Sequence, residues 1–353
     1  MSNLPPTMRA AVLLGAQNIE IQQVAVPRPA AREMLVRIGA ATTCGTDVKV
    51  FRRGGHPRML KVPALFGHEF AGTVEQVGEA VANFAPGDRI VVANSASCGT
   101  CERCARGREN LCPDLQYLNG AFAEFILLPE RFVQRSVYSI PASMGFEHAA
   151  LSEPLACVIH GINACELDKT IASEVTIFGA GPIGLLFVAA LARDGHRVQL
   201  ADPNPSRLEV GARMGAANTL CVARGGGMAE QVRDWSSFGN GVDVAVDCTG
   251  IAEVWSDAMH SVRPGGVVNL FGGCAPGTTV PLDTHQLHYS EISVKGVYHH
   301  RPQTFRAALE LLNDPTFPAA ELLGAHMSID NVEAALQSMM RKENLKVVID
   351  AAL

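Results

Sequence analysis

The sequence predicts an α/β chain in two parts, an N-terminal partly open β-barrel and a parallel sheet wrapped by helices. Three observations predict it. Up to about Pro141, short Val/Ile/Leu-rich segments alternate with Gly and Pro, as at residues 34–38, 72–77, 89–93 and 123–128, which is how a partly closed β architecture reads. From Val175 to about Leu270, strand-like runs alternate with helical stretches, the pattern of a parallel sheet with helices on its faces. After about Glu291 comes one more strand-like piece, residues 292–298, then helical periodicity at 304–312 and 331–339 and a closing apolar strand at 346–349. We expect this tail to return to the first domain, so that residues 1–152 and 293–353 form the barrel domain and 153–292 the helix-wrapped sheet.

Composition sets the bounds of function. The chain has 353 residues, 48% hydrophobic and 18% charged, enough apolar material for sizeable cores and more length than one domain uses. A formal net charge of −6 gives no pull toward nucleic acid or anionic membrane, so a small molecule is the expected partner. The N-terminal stretch carries Arg9 and a short apolar run at 10–14, too brief for the core of a signal peptide. The most apolar later stretch, 177–192, is broken by Gly179, Gly181, Pro182 and Gly184 and reads as strand, turn and helix rather than a membrane span. A cytoplasmic protein is the expectation. Ten cysteines there point to metal ligation, reactive thiols or small core residues rather than disulfides. There is no internal repeat, and the glycine run 225–227 is a loop.

Residues 174–178 are a short β-branched strand that runs into Gly179-Ala180-Gly181-Pro182-Ile183-Gly184 and then a helical run, 185–193. Strand, GxGxxG and helix in that order are the context of the dinucleotide fingerprint. The glycines allow a tight turn and close approach of a pyrophosphate, and the helix N-terminus offers free N–H groups to it. The next strand, 197–201, ends at Asp202, where a carboxylate binds ribose hydroxyls and repels a 2′-phosphate, favouring NAD over NADP. The alternative is a turn aspartate in Asp202-Pro203-Asn204-Pro205. Arg207 is in reach of a phosphate, although an exposed helix arginine is the plainer reading. The strand 242–247 leads into Cys248-Thr249-Gly250 and the strand 266–271 into Gly272-Gly273, so Thr249 and Gly272 stand at strand ends on which a nicotinamide can rest.

Two metal constellations follow. Cys98-x2-Cys101-x2-Cys104-x7-Cys112 suits a closed tetrahedral zinc site, which is structural because no position stays open. Disulfides, or thiols without a shared role, are the alternatives. Arg103, Arg106 and Arg108 in the same loop soften the negative charge of a four-thiolate centre. The second set is dispersed over Cys44-Gly45-Thr46-Asp47, Gly67-His68-Glu69 and Ser152-Glu153-Pro154-Leu155-Ala156. Each segment is ordinary alone, but a Cys/His/Glu set supplies the three ligands and one vacancy of a catalytic zinc.

In that order, these segments, the four-cysteine lobe, the Glu-Pro-Leu-Ala element, GAGPIG and Asp202 resemble the zinc-containing medium-chain dehydrogenases over nearly the whole chain. The resemblance is closest to the sorbitol and threonine dehydrogenase branches. It implies a GroES-like barrel domain joined to a Rossmann domain, with two zinc ions per chain and NAD. It makes Cys44, His68 and Glu153 ligands of the catalytic zinc, with Glu69 a direct or alternating ligand or an outer carboxylate. It implies that Thr46 hydrogen-bonds the substrate oxygen and passes on its proton, and that Asp47 supports the cysteine-bearing loop. Lys49 stands where relatives commonly carry a histidine that helps deliver the proton. His160 is either an orienting residue or a satisfied core histidine. His299 and His300 fall where sorbitol dehydrogenases carry an arginine and a tyrosine near the polyol, and a solvent-exposed His-His turn is the alternative.

The implied reaction is reversible hydride transfer between NAD and a secondary hydroxyl of a polyol or sugar-like alcohol. Its rivals are an L-threonine 3-dehydrogenase or simple alcohol dehydrogenase, and a catalytically inactive zinc- and nucleotide-binding regulatory protein. Relatives of this kind imply a homotetramer, or a homodimer.

Overall fold

The computed structural model describes residues 4–168, 170–351 and 353, and the first three residues of the N-terminal stretch lie outside them. By internal packing the chain divides into two compact units, Met1–Glu153 with Arg301–Pro315 and Leu322–Leu353, and Pro154–His300 with Thr316–Glu321.

The first unit is built on antiparallel pairing. Its larger sheet runs in the order Val137–Ser139, Arg89–Val92, Glu69–Val77, Met34–Thr42, Lys346–Asp350 and Leu323–Ser328, with Phe125–Leu128 paired to Met34–Thr42. A second sheet joins Asn18–Ala25, Thr7–Gly15 and Ala64–Leu65. Val36, Ile38, Phe70, Val74, Ile90, Val92 and Ile349 fill a common core, because alternate side chains of each strand face it. The closing strand lies antiparallel to Met34–Thr42, with Val348 opposite Thr42. Thr42 in turn stands opposite Glu69. Since side chains alternate with a period of two, Thr42, Glu69, Val348 and Lys346 share one face of three neighbouring strands. Three of those four are polar, and all are buried.

The second unit is a six-stranded parallel sheet in the order Asn218–Cys221, Arg197–Asp202, Glu174–Phe178, Val242–Asp247, Val262–Leu270, Ser293–Gly296. Its inner strands are nearly continuous apolar runs, as sheets covered on both faces require. The strand order reverses between Glu174–Phe178 and Val242–Asp247, which marks the crevice where ligands bind in open α/β sheets. Ser293–Gly296 belongs to this sheet, paired with Val262–Leu270, so the tail enters the first unit at Arg301 rather than near residue 293. The helix after the fingerprint spans Pro182–Arg193. It begins earlier than its apolar run because Pro182 occupies the first turn, where the missing N–H costs nothing.

Candidate active site

Cys44 caps the helix Gly45–Arg53: its thiol accepts from Thr46 N at 3.4 Å, while Asp47 Oδ2 accepts from Cys44 N at 2.9 Å. The helix N-terminus therefore points its positive end at the sulfur. Asp47 is buried and its other oxygen meets His68 Nδ1 at 2.9 Å. One carboxylate thus fixes both the cysteine loop and the imidazole, leaving His68 Nε2 to face Cys44, with which the ring interacts. Burial opposes protonation of His68, yet the charge and hydrogen bond of Asp47 raise its pKa well above the usual imidazole value. Burial, reinforced by the charge of Glu69, pushes the Cys44 thiol up.

Glu69 is wholly enclosed, at 0% exposure, and Lys346 nearly so at 1%. Glu69 Oε2 accepts from Thr42 Oγ1 at 2.5 Å and from Lys346 Nζ, and Lys346 also donates to Thr43 O at 2.8 Å. Burial lowers the Lys346 pKa, but the charges of Glu69 and Cys44 outweigh it and the amine stays charged. Glu69 Oε1, by contrast, is buried with no hydrogen-bond partner among the described residues. A buried carboxylate oxygen left this way is costly unless something else engages it. Ligand atoms of Cys44, His68 and Glu69 lie within 4.8 Å of one another. Thiolate, imidazole and carboxylate in that compass are a donor set that zinc accepts. Glu153, on the first turn of the helix Ser152–Ala164, accepts from Asn94 Nδ2 at 2.9 Å. Its pKa is pushed up to about 7 by burial and then by the charge of Glu69, against the opposing pull of His68 and Lys346. Lys346 and Asn94 were not evident from the sequence: one opens a strand and the other lies between two, and each is ordinary until its distant partner is known.

The four-cysteine lobe is compact. Sγ–Sγ separations are 4.0 Å for Cys98–Cys104, 3.5 Å for Cys101–Cys104, 3.8 Å for Cys101–Cys112 and 3.5 Å for Cys98–Cys112. A tetrahedron with Zn–S bonds of about 2.3 Å has edges of about 3.8 Å, whereas a disulfide needs about 2.05 Å. All four are free thiols, so the lobe fits zinc and excludes the disulfide alternative. Backbone N–H groups of Thr100 and Cys101 bring the Cys98 thiol down to about 6. Arg106 pairs with Glu102 at 2.9 Å rather than with the thiols. The guanidinium against the lobe belongs to Arg135, packed so closely on Gly99 that a Cβ there would stand 2.0 Å from its Nη1.

In the second unit, Gly179 has φ +102, and a Cβ on Gly184 would stand 1.9 Å from Gly179 O. The fingerprint turn therefore admits only glycine at both places. Pro182 and Ile183 open the helix above that turn. Asp202 Oδ2 accepts from Ala180 N and Oδ1 from Asn204 N, both at 2.8 Å, so the carboxylate braces the turn and keeps further lone pairs for a diol. Arg207 is half-buried rather than exposed. Burial lowers its pKa while the neighbouring charge of Asp202 raises it. His300 is 5% exposed and His299 half-buried, which rules out a solvent-exposed turn. Their rings stand 4.0 Å apart. His299 takes φ +61, and its carbonyl receives His160 Nδ1 at 2.7 Å, so His160 braces the histidine pair rather than merely filling the core. Burial, then the charge of His160, lowers the His300 pKa to about 3.

Known proteins are similar to this chain over nearly its whole length. The family "Alcohol dehydrogenase GroES-like domain" matches residues 30–141 and "Zinc-binding dehydrogenase" matches 182–314. A sorbitol dehydrogenase of Bacillus subtilis is 31% identical over 98% of this chain and 98% of its own length. An L-idonate 5-dehydrogenase of Vitis vinifera is 31% identical over 97% of this chain and 94% of its own. Among solved structures, a zinc-binding dehydrogenase of Sinorhizobium meliloti bound to NADP superposes with TM-score 0.89 at 29% identity, covering 98% of this chain and 100% of that one. The alcohol dehydrogenase TADH of Thermus sp. ATN1 gives TM-score 0.87 at 26% identity, covering 97% of this chain and 99% of that one. With its two zinc-fitting donor sets, its fingerprint turn and relatives matched end to end, the chain belongs to the zinc-dependent medium-chain alcohol and polyol dehydrogenases, oxidoreductases that act on a CH–OH group.

Proposed function

We propose that the protein oxidises a secondary hydroxyl of a polyol or sugar-like alcohol to the ketone, reversibly, with NAD as hydride acceptor. The observation that carries this reading is the set of half-buried Cys44 with buried His68 and Glu69, beside a second carboxylate, Glu153, in place of a further thiolate. The first unit then holds the chemistry and the second the cofactor. Cys44, His68 and Glu69 would hold zinc, and Glu153, its pKa already near neutrality, would stand as a fourth donor, the second oxygen, or as a hydrogen-bond partner of what binds there. When bound, zinc supplies Lewis-acid polarisation that makes the substrate hydroxyl more acidic.

The chain's own residues do the rest. Asp47 keeps His68 in one tautomer and orientation. Lys346 and Thr42 hold one oxygen of Glu69 and thereby aim the other. Thr46, on the first turn after Cys44, would accept a hydrogen bond from the substrate hydroxyl and pass its proton outward; the nicotinamide, when bound, would supply the acceptor for the hydride of the carbinol carbon. Lys49 is exposed, so that outward path ends in solvent rather than at a histidine. Gly179, Gly181, Pro182, Ile183 and Gly184 cradle the pyrophosphate, Asp202 takes the ribose diol with Arg207 beside it, and Thr249 and Gly272 support the nicotinamide. His299 and His300 contact a distal hydroxyl. A neutral, buried His300 both donates and accepts, which suits a hydroxyl and gives no charge to a carboxylate. The relatives named for sorbitol and L-idonate support substrates rich in hydroxyls.

We further infer a cytoplasmic homo-oligomer, a tetramer or a dimer. Ten free cysteines suit a reducing compartment. The strand Ser293–Gly296 ends its sheet with a single neighbour, and Val294 and Leu282, which line one hollow beside it, are exposed, a surface that sheet edges seldom leave open. No helix among the described residues is long and apolar enough to cross a membrane. The deciding experiment is incubation with NAD and a panel of polyols, simple alcohols and L-threonine, following NADH absorbance. Turnover confined to polyols is expected. Turnover of L-threonine or of simple primary alcohols alone would replace the substrate assignment, and none with any alcohol would replace the enzyme.

A further inference from the structure

Asp247 ends the strand Val242–Asp247 and is fully buried. Its Oδ1 accepts from Thr249 N at 3.1 Å and Thr249 Oγ1 at 2.6 Å, and its Oδ2 accepts from Gly250 N at 2.9 Å and Trp255 Nε1 at 3.0 Å. Trp255 Nε1 is shared with Gly272 O, also at 3.0 Å, and Gly272 N donates to Asp247 O at 2.8 Å. One side chain therefore ties the loop after its own strand to the loop after Val262–Leu270. The approach is so close that a Cβ on Gly272 would stand 2.6 Å from Asp247 Oδ2 and 2.4 Å from Gly250 N.

A third loop joins them. A Cβ on Gly179, the first glycine of the fingerprint, would lie 2.9 Å from Thr249 Cγ2, so the threonine that Asp247 orients also forms the floor of the fingerprint turn. Cys248 N, between Asp247 and Thr249, donates to Phe178 O at 2.9 Å. Four donors converge on the carboxylate and none of its neighbours needs a donor in return. An amide there would turn an NH₂ against two N–H or O–H groups. Burial raises the pKa of Asp247, and the hydrogen bonds from Thr249, Gly250 and Trp255 offset part of that rise.

We propose that Asp247 is the positioning residue for the ring end of the dinucleotide: it clamps the three strand-end loops, 179–184, 248–251 and 271–273, into one cradle, and Trp255 is its second anchor. This rests on the reading of those loops as the cofactor site. Asp247 touches no reacting atom and acts through Thr249, Gly250 and Gly272.

The test uses the intact, zinc-loaded protein. The chain has two tryptophans, and Trp235 lies away from the cradle with Arg197 4.3 Å from its ring centroid, so Trp235→Phe leaves Trp255 as sole emitter. Bound NADH is expected to quench Trp255 by energy transfer. In that background Asp247→Asn is expected to raise the NADH Kd and the NAD KM roughly tenfold, with the fold and zinc content kept and Tm lowered by the donors left unpaired. At saturating NAD, kcat is expected to stay within about twofold of the parent, the split that separates positioning from chemistry. Trp255→Phe, read by NADH fluorescence, is expected to weaken binding by about threefold because Thr249 and Gly250 stay anchored. An Asp247→Asn protein that folds and binds NADH like the parent overturns the proposal. So does one whose kcat falls while its NADH Kd holds. If Asp247→Asn does not fold, unchanged NADH affinity in Trp255→Phe overturns it alone. A parent that binds no NADH overturns the cofactor reading as well, which a variant-only failure leaves standing.

Discussion

Lys346 and Glu69 form a wholly buried ion pair across the strand that carries Thr42, although 277 positions separate them in the chain. The pair leaves Glu69 Oε1 as the only unengaged oxygen of that carboxylate. Lys346→Met removes the partner and leaves a buried charge uncompensated. We expect a stability loss of about 3 kcal/mol, together with weaker retention of zinc at the Cys44 site. Thermal unfolding and metal analysis check both, and a variant as stable and as zinc-replete as the parent would contradict the role given to Lys346.

Asp47 holds Cys44 N and His68 Nδ1 together. Asp47→Ala frees the imidazole to turn and removes its tautomer control. Zinc affinity at that site should fall by about 10- to 100-fold, measured by competition with a chromogenic chelator, while the four-cysteine lobe keeps its metal.

Two zinc ions per chain are expected. Under graded chelation the ion held by Cys44, His68 and Glu69 should leave first and take activity with it, because an open position admits a chelator, whereas the closed lobe of Cys98, Cys101, Cys104 and Cys112 should persist. Cobalt exchange resolves the order through thiolate charge-transfer bands. Simultaneous loss of both metals, or a single ion in the folded protein, would refute the distinction.

NAD is expected to be preferred over NADP, and Asp202→Ala should raise the KM for NAD roughly tenfold through the lost diol contact and narrow the preference. The comparison is a genuine test, since Arg207 sits half-buried beside Asp202 and the Sinorhizobium relative was solved with NADP. Faster turnover with NADP at equal concentration would show that the arginine, not the aspartate, decides.

His300→Ala and His299→Ala should depress kcat/KM for long polyols by roughly tenfold and leave short secondary alcohols nearly unchanged. His160→Ala should act in the same direction, since it releases the His299 carbonyl. Equal losses on every alcohol would place these histidines in the general scaffold instead.

The chain's own order of residues determined a good deal. The fingerprint turn, Asp202 and the four-cysteine lobe are local: each is a short run whose spacing already carries its geometry, and the parallel strands 174–178 and 242–247 stand where their apolar runs place them. Cys44, His68, Glu69 and Glu153 were legible only through a family resemblance, because they lie on separate segments that no periodicity connects. Folding alone decided the rest. Whether Ser293–Gly296 pairs with the parallel sheet or with the barrel depends on which edge offers partners, a choice that a short apolar run leaves open. Lys346 beside Glu69, Asn94 beside Glu153, His160 beside His299 and Trp255 beside Asp247 and Gly272 are all contacts between segments brought together by tertiary packing. A buried polar group must find its partner wherever the fold provides one, and sequence separation says nothing about where that is.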